Sequence, residues 1–441
     1  MSSAKQKYDL IVIGNGSAGD NIARTLGRKG HLVALIEETH LGGECLNDGC
    51  VPSKALIHFS KRARQLDRSW NEVVAGVHAT QLLVRGTDPN GDFTKDGVNF
   101  HWGAARFRSS TEVVVDGKVL TAKDIVVATG TAPGLPPIPG LAEAKPQTNR
   151  TIFALPSFPA RLGVIGGGPI GLELGQAFSR LGAEVTLFET IGRIAGTEDA
   201  EVSMELTKLF EREGIRIETG VKIERVDRAE DGTVSMVTEK GRFVVDELLV
   251  AAGREAQIPE GLVKLGVKRD KRGFIDISPC GMTNVAGIWA AGDVTGKFQF
   301  THYASYQAHH IAKHIEGDDC DPIPDTLVPW AIFTDPEVGH AGMTEQQARD
   351  AGIEVRIGRL AAAELDWFRT TDQTDGFAKV VVDAVTGVLI GAHFVCARGS
   401  TLVGEACLAI QHGLTARQVA ETIHPYPTAS EIFRWACAKV V

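Results

Sequence analysis

A glycine pattern of the form GxGxxG occurs twice in the 441 residues of this chain, each time between an apolar run and a helical one. The first copy, GNGSAG, follows Tyr8–Ile13 and precedes Asp20–Lys29. The second copy, GGGPIG, follows Leu162–Ile165 and precedes Leu172–Leu181. A strand, a glycine turn and a helix in this order predict the start of a strand–helix–strand unit. The chain is therefore constrained to an α/β fold that contains this unit twice.

Each unit continues into a second apolar run that ends on an acid. The run Leu32–Ile36 leads to Glu37 and the run Glu184–Phe188 leads to Glu189, and in both copies 23 positions separate the first glycine from the acid. In such units the three glycines serve a tight turn, close approach of a pyrophosphate and helix–strand packing, while the acid accepts hydrogen bonds from a ribose. Two matched copies predict two bound dinucleotides. The six glycines are Gly14, Gly16, Gly19, Gly166, Gly168 and Gly171.

Three later apolar runs end in small-residue turns. Two of them, one for each unit, end at Thr129-Gly130 and at Gly253, and the third ends at Gly292-Asp293. An acid delivered at a glycine turn by a strand is typical of a ligand site, although a strand-end cap has the same pattern.

The pattern changes after the proline-rich stretch Asp321–Asp325, which we interpret as a domain boundary. Strands with alternating burial are predicted at Ala378–Val382 and Val388–Phe394, and helices at Thr401–His412 and Ala416–Thr422. The expected fold is α/β with two Rossmann-like dinucleotide-binding domains and an α+β C-terminal domain.

Charge and hydropathy exclude several classes of partner. Asp and Glu number 55 against 46 Lys and Arg, and no long basic block occurs, so nucleic acid and anionic membranes are not expected partners. The longest apolar stretch, Phe377–Ala397, contains Lys379 and Asp383, and the N-terminus lacks a signal-peptide core. We expect a cytoplasmic protein.

Seven cysteines are too few and too scattered for a disulfide framework. Cys45 and Cys50 are the exception, because only four residues separate them. This spacing could hold a metal, but no second cysteine pair or histidine cluster completes four ligands, so no metal site is expected. The pair could also close a local disulfide. Lys54, about one turn beyond Cys50, would favour a thiolate there.

The string GGECLNDGCVPSK at residues 42–54 resembles the flavin-dependent pyridine nucleotide–disulfide oxidoreductases of class I, which include glutathione reductase, dihydrolipoyl dehydrogenase and mercuric reductase. The resemblance extends from Tyr8 to nearly the C-terminus. It implies an FAD domain, an NAD(P) domain and a C-terminal domain that forms a homodimer. The implied division is 1–150 and 278–325 for FAD, 151–277 for NAD(P) and 326–441 for the interface.

The resemblance also implies roles for individual residues. Cys50 would be the thiol next to the flavin, and Cys45 the thiol that exchanges with the substrate. Lys54 would lie near the flavin ring and pair with Glu173 on the second nucleotide helix. The other residues expected at FAD are Gly14, Gly16, Gly19, Glu37, Gly43, Thr129, Gly130, Gly292 and Asp293. Those expected at the nicotinamide dinucleotide are Gly166, Gly168, Gly171, Glu189 and Gly253.

The acid at the second strand end bears on which nicotinamide dinucleotide binds. Glu189 favours a free 2′-hydroxyl and would repel a 2′-phosphate, so NAD(H) is favoured over NADP(H). Arg193, four residues later, leaves NADPH open.

Near the C-terminus the chain departs from the family pattern. Glutathione reductase and dihydrolipoyl dehydrogenase use a histidine as the acid–base group of the exchange thiol, with a glutamate five residues later, both from the partner subunit. Here Glu431 is present but Tyr426 stands in the histidine position, and a phenol is a poor base at neutral pH. His424 could replace it or could serve only as a structural hydrogen-bonding group.

The sequence therefore predicts a homodimeric, FAD-dependent NAD(P)H:disulfide oxidoreductase of the dihydrolipoyl dehydrogenase type. Its substrate would be a small disulfide or dithiol, or a lipoyl group on a carrier. A tyrosine at this position resembles the pattern of mercuric reductases, so a metal-ion or quinone reductase is an alternative. Those enzymes have a pair of cysteines near the C-terminus, and only Cys437 is present here. A flavoprotein redox sensor is an alternative of another class.

Overall fold

The structure is a computed structural model that describes residues 5–66, 69–86, 92–319 and 322–441, with the side chains of 63–66 excepted. Cys320 and Asp321, the latter at the start of the predicted boundary, lie outside the described residues.

The described residues form both helices and strands. The helices are α1 (Ser17–Arg28), α2 (Gly43–Asn47), α3 (Cys50–Leu66), α4 (Trp70–Arg85), α5 (Pro169–Arg180), α6 (Ala200–Arg212), α7 (Thr301–Ile315), α8 (Glu345–Asp350), α9 (Asp366–Thr370), α10 (Gly399–Gln411), α11 (Ala416–Glu421) and α12 (Glu431–Ala438). The strands are β1 (Gln6–Lys7), β2 (Leu10–Ile13), β3 (Val33–Glu37), β4 (Val98–Trp102), β5 (Arg106–Ser109), β6 (Glu112–Val115), β7 (Lys118–Thr121), β8 (Asp124–Val127), β9 (Thr131–Pro133), β10 (Arg161–Ile165), β11 (Glu184–Glu189), β12 (Arg216–Thr219), β13 (Ile223–Arg228), β14 (Val234–Thr238), β15 (Gly241–Val245), β16 (Glu247–Val250), β17 (Arg254–Ala256), β18 (Ile288–Ala290), β19 (Trp330–Ile332), β20 (Glu337–Gly342), β21 (Val355–Ala361), β22 (Phe377–Asp383) and β23 (Leu389–Cys396). Among these described elements, β4 to β10 and β12 to β18 follow one another without an α-helix between them.

One compact unit contains the described parts of Met1–Ala55, Val74–Gly134 and Gly253–Pro324. Its main sheet is parallel, in the order β18-β8-β2-β3-β4. Every residue of β2 is buried, as expected for a central parallel strand that is covered on both faces. A second sheet, β1-β7-β6-β5, and the pair β17-β9 complete the unit.

The other unit contains Leu56–Val73, Leu135–Ala252 and Asp325–Val441, in their described parts. Its parallel sheet has the order β12-β11-β10-β16, and an antiparallel meander, β13-β14-β15, packs in the same core. The C-terminal part adds an antiparallel sheet in the order β19-β20-β23-β22-β21. Helices α10 to α12 contribute to the core of that sheet.

These sheets confirm the expected fold class, with two parallel nucleotide-type sheets and an α+β C-terminal part. The division at residues 150, 277 and 325 stays a prediction. Both glycine-turn helices begin three residues earlier than expected, at Ser17 and Pro169. The reason is that the third glycine of each pattern lies inside the first helical turn. There it packs against the carbonyl of the first glycine.

Candidate functional site

The first glycine turn links β2 to α1 and shows three different demands on glycine. Gly14 has a φ of +103°, and a Cβ there would collide with the Ala128 carbonyl. A Cβ at Gly19 would collide with the Gly14 carbonyl. Gly16 differs, because a Cβ there would meet no protein atom within 4 Å. The first and third glycines are therefore required by the chain, while the second faces open space that a phosphate group can approach.

The acid at the end of β3 is held against this turn. The backbone N–H of Asn15 donates to Glu37 Oε2 at 2.8 Å, and that of Thr39 donates to Glu37 Oε1 at 2.8 Å. The buried Asn15 side chain accepts a hydrogen bond from the Gly42 N–H at 2.8 Å. Direct hydrogen bonds thus join the glycine turn, Glu37 and the start of residues 42–54, which we call the cysteine segment.

The second glycine turn, between β10 and α5, repeats this geometry. Gly166 has a φ of +114° and would collide with the Ala251 carbonyl, and a Cβ at Gly171 would collide with the Gly166 carbonyl. Gly168, like Gly16, has no protein atom within 4 Å of a Cβ. The second pattern therefore presents the same open approach to a ligand phosphate as the first.

The acid of the second unit is also fixed at its strand end. Glu189 Oε2 accepts the N–H of Gly167 at 2.7 Å, and Oε1 accepts the N–H of Ile191 at 3.0 Å. The guanidinium of Arg193 donates to the Gly196 carbonyl at 2.7 Å. Gly253 comes shortly after β16, the last strand of the sheet β12-β11-β10-β16. It has a φ of +147° and open space at its Cβ position.

The two close cysteines lie on consecutive helices, a short one and a long one. Cys45 is in α2 and half-buried, Cys50 is the first residue of α3 and exposed, and neither is in a disulfide bond. Gly42 and Gly43 have φ values of +83° and +59°, and a Cβ at Gly43 would lie 2.6 Å from the Gly16 Cα. The glycines thus bring the cysteine segment directly against the first glycine turn.

The two thiols have different electrostatic surroundings. A hydrogen bond between the Cys45 and Cys50 side chains, with burial and the charge of Cys50, raises the pKa of Cys45 well above its ordinary value. The Thr301 hydroxyl, at the start of the 15-residue helix α7, is 3.4 Å from Cys50 Sγ. Cys50 also begins α3, and helix N-termini favour a thiolate. The two thiols therefore differ: Cys45 has a raised pKa, and Cys50 lies at a helix N-terminus.

A charged network lies beside the cysteines. Arg254 forms an ion pair with Glu44, and its Nε donates to the Thr131 hydroxyl at 2.6 Å. The Thr131 hydroxyl donates to Asp293 Oδ2 at 3.4 Å. Burial raises the pKa of Asp293 to about 6 against the opposing charge of Arg254. Sequence reasoning missed Thr301, Arg254 and Thr131, because each is distant in sequence from the cysteines.

Other predicted residues have the following places. Gly292 has a φ of +76° and its N–H donates to the Gln307 side chain at 2.7 Å, which fixes the turn that carries Asp293. Thr129 donates to the Gln257 carbonyl, and Gly130 has a φ of +65° with open space at its Cβ position.

Glu173 and Lys54 are the predicted pair. Glu173 is buried in α5, and its Oε1 accepts the N–H of Phe333 at 2.9 Å. Lys54 lies in the second turn of α3. Their pairing stays a prediction.

At the C-terminal turn, Tyr426 and His424 have different partners. The Tyr426 hydroxyl donates to Asp366 Oδ2 at 2.9 Å, a contact that the sequence did not predict. The His424 ring nitrogens lie 2.8 Å from Glu405 Oε1 and 3.0 Å from the Thr422 carbonyl.

The remaining C-terminal residues and the distant cysteines complete the description. Glu431 is buried and its Oε2 accepts the N–H of Thr428 at 3.3 Å. Cys437 is fully buried in α12. Cys280, expected to be one of the scattered thiols, is disulfide-bonded.

In the parts of the chain that the structure describes, no group of three or more His, Cys, Asp or Glu side chains forms a metal centre. No helix in those parts is both long and apolar enough to span a bilayer.

Comparison with known proteins gives matches along almost the whole chain. Residues 8–308 match the pyridine nucleotide-disulphide oxidoreductase family, and residues 328–437 match the dimerisation domain of that family. A dihydrolipoyl dehydrogenase of Thermus scotoductus is 35% identical over 96% of this chain and 95% of its own length. A mercuric reductase of Lysinibacillus sphaericus is 36% identical over 97% of this chain and 81% of its own length.

A solved structure has the same fold. It is the Cu(II) complex of a mutant of the HOCl-induced flavoprotein disulfide reductase of Escherichia coli, with a TM-score of 0.93 and 26% identity. The match covers 99% of this chain and 100% of the other.

Proposed function

The chain belongs to the pyridine nucleotide-disulphide oxidoreductase family, and from this premise we propose that it is a homodimeric, NAD(H)-linked disulfide oxidoreductase in which Cys45 exchanges with the substrate. The observation that carries the proposal is the asymmetry of the cysteine pair. Cys50 begins α3, where the helix N-terminus favours a thiolate, while the pKa of Cys45 is raised by its hydrogen bond to Cys50 and by burial. A pair of this kind separates the thiol that stays near the cofactor from the thiol that meets the substrate.

The chain's own residues fit FAD at the first glycine turn. The open approach at Gly16 suits a pyrophosphate, Glu37 at the end of β3 suits a ribose, and Asp293 is linked through Thr131 and Arg254 to Glu44, the neighbour of Cys45. FAD, when bound there, supplies the two-electron exchange that connects the nicotinamide with the cysteine pair. Arg254 offsets the negative charge of Glu44 and Asp293, which a bound pyrophosphate would otherwise increase.

The exchange with a disulfide substrate uses both cysteines. Cys45 loses its proton and attacks one sulfur of the substrate, which forms a mixed disulfide and releases the other sulfur as a thiolate that takes up a proton. The Cys50 thiolate then attacks the Cys45 sulfur, which closes the Cys45–Cys50 disulfide and releases the second substrate sulfur as a thiolate that takes a proton from water. The cysteine pair loses two electrons and the substrate disulfide gains them. Dithiol oxidation is the same sequence in reverse.

The second glycine turn is proposed to hold NAD(H) rather than NADP(H). The Glu189 carboxylate is fixed at the end of β11 by two backbone N–H groups, one of them from the turn itself. A fixed negative charge at this place suits the two hydroxyls of an adenosine ribose and disfavours a 2′-phosphate. The Arg193 guanidinium is bonded to a backbone carbonyl on its own loop.

A metal-ion reductase is the second candidate. Two observations favour it: a relative is a mercuric reductase, and the matched Escherichia coli reductase was solved as a Cu(II) complex. Soft thiolates such as Cys45 and Cys50 suit thiophilic ions, and reduction of an ion between two thiolates needs no histidine base. Tyr426 in the histidine position fits this chemistry better than it fits rapid thiol exchange.

The experiment is a steady-state comparison of NADH with lipoamide, glutathione disulfide, Hg(II), Cu(II) and a quinone as acceptors. Cys45→Ser is expected to lower turnover with every disulfide at least about 100-fold while FAD stays bound, because no other thiol starts the exchange. Cys407→Ser, which removes a half-buried thiol on α10, is the control and keeps full turnover. Disulfide turnover that survives in Cys45→Ser would overturn the mechanism, and turnover with metal ions alone would favour the second candidate.

A further inference from the structure

The phenol of Tyr426 is exposed, but its hydroxyl is not free. The residue is 71% exposed, and the hydroxyl donates to Asp366 Oδ2 at 2.9 Å. Asp366 is the first residue of α9, 60 positions earlier in the chain. The contact therefore joins the start of α9 to the turn that carries Tyr426, two places that are distant in sequence.

Asp366 also faces a cation at this contact. Its second oxygen, Oδ1, lies 3.5 Å from Nη1 of Arg369, which is one helical turn later on α9. An ionised carboxylate has no hydrogen to give, so the hydrogen in the contact belongs to Tyr426. The only hydrogen of the phenol oxygen is thus directed at Asp366, and the lone pairs are directed elsewhere.

The other charged groups around the turn that carries Tyr426 also favour a protonated phenol. Glu431, at the start of α12, is buried and adds a second negative charge on this side. Both carboxylates raise the pKa of Tyr426, so the phenol stays protonated. His424 is occupied with Glu405 and with a backbone carbonyl. Within the described residues, Asp366 is therefore the titratable side chain that contacts the phenol oxygen.

The backbone of the turn is fixed separately from the phenol. The Thr428 hydroxyl donates to the Pro425 carbonyl at 2.7 Å, and the Thr428 N–H donates to Glu431 at 3.3 Å. Asp366 takes no part in these bonds. Removing its carboxylate therefore changes the phenol without removing the bonds that hold the turn.

We propose that Asp366 is a positioning residue that holds Tyr426 as a hydrogen-bond acceptor for the substrate. The proposal rests on the proposed function, because it takes Tyr426 to stand at the exchange thiol of the partner subunit. With its hydrogen given to Asp366, the phenol oxygen accepts a bond from a thiol S–H or contributes a lone pair to a soft cation. It takes no proton from the substrate. The site therefore favours protonated thiols and metal cations over thiolate anions, which Asp366 and Glu431 would also repel.

The first test is direct ionisation of the phenol in the holoenzyme. The chain has only four tyrosines, so NMR of ring-labelled tyrosine resolves each one, and Tyr426→Phe assigns the signal. Asp366→Ala is expected to lower the pKa of Tyr426. Asp372→Asn, which removes an exposed acid just after α9, is the matched control and leaves that pKa unchanged. An unchanged pKa in Asp366→Ala would overturn the proposal.

The second test asks whether Asp366 acts through Tyr426. Asp366→Ala is expected to lower kcat/KM for a neutral dithiol about fivefold, the size of one lost hydrogen bond, and to have no further effect in a Tyr426→Phe background. An equal loss in both backgrounds would show a merely structural role and contradict the proposal. A wild-type enzyme without disulfide, dithiol or metal turnover would refute the proposed function instead, and the NMR titration would still decide the Asp366–Tyr426 contact.

Discussion

The two glycine-turn regions share one backbone solution but differ in what surrounds it. In both, the first glycine has a positive φ against an alanine carbonyl, the third packs on the first, and the second faces open space. In both, the N–H that follows the first glycine donates to the acid at the neighbouring strand end, at 2.8 Å for Glu37 and 2.7 Å for Glu189. The same task, holding a dinucleotide phosphate at a helix N-terminus, accounts for the shared geometry.

The first region has two additions. The residue after its first glycine is Asn15, whose side chain binds the Gly42 N–H at the start of the cysteine segment, while the second region has Gly167 there. The first parallel sheet also has the strand β18, which leads to Asp293, and among described residues the second sheet has no strand in that place. The comparison teaches that the glycine pattern marks dinucleotide binding, and that the additions connect one of the two dinucleotides to the thiols.

The largest expected effect separates the two regions by filling the open position of each. Gly16→Val is expected to fold but to lose FAD, because the added side chain meets no protein atom and occupies the ligand's path. Gly168→Val is expected to keep FAD and to raise the KM for NADH at least about 100-fold through the same steric conflict. Flavin absorbance of the purified variants and NADH kinetics check both. Loss of FAD from Gly168→Val would refute the assignment of the two turns.

Asn15→Ala tests the link between the first turn and the cysteine segment. It leaves the Gly42 N–H without its acceptor in a partly buried place, so we expect a loss of about 2 kcal/mol in the free energy of unfolding. We also expect Cys45 and Cys50 to react faster with a thiol reagent, because α2 loses an anchor. Urea unfolding and timed alkylation measure the two effects. Unchanged thiol reactivity would mean that the glycines alone hold the segment.

Asp293, which has no counterpart in the second region, should make the free energy of unfolding of the flavin-free protein depend on pH. The pKa of Asp293 is raised to about 6, above the ordinary 3.8 of an aspartate, so the native state holds a proton that the unfolded state has released. This contribution to stability is present below about pH 4 and is lost as pH rises through about 6, by about 3 kcal/mol. Asp293→Asn is expected to lack this loss. Parallel pH profiles of unfolding for the two proteins would contradict the shift.

The smallest expected effect concerns the acid of the second region. Glu189→Gln keeps an acceptor for the Gly167 N–H but removes the charge, so we expect the preference of kcat/KM for NADH over NADPH to fall about tenfold. Glu37→Gln, the matched change in the first region, leaves this ratio unchanged. A wild type that prefers NADPH would overturn the assignment of NAD(H).

Much of the fold was predictable from the sequence because its signals are local. The glycine turns, the acids 23 positions later and the close cysteines are each short patterns with one physical reason. The helix starts were wrong by three residues, because nothing in the sequence shows that Gly19 and Gly171 lie inside a helical turn.

The contacts that complete the site were not predictable in the same way. Thr301 is 251 positions from Cys50, Arg254 is 210 from Glu44, and Asp366 is 60 from Tyr426. Single polar residues at such separations have no periodicity or spacing that a sequence displays. The disulfide at Cys280 was missed for a similar reason, since no close cysteine marks it.

The most direct test of the central claim, that Cys50 is the thiolate beside the flavin and Cys45 the exchanging thiol, is the visible spectrum of three proteins. NADH-reduced wild type is expected to gain long-wavelength absorbance from a thiolate next to the flavin. Cys45→Ser is expected to show this absorbance without any reductant, because Cys50 is then a free thiol from the start, and Cys50→Ser is expected to lack it. Long-wavelength absorbance in Cys50→Ser, with none in Cys45→Ser, would reverse the two roles and contradict the account.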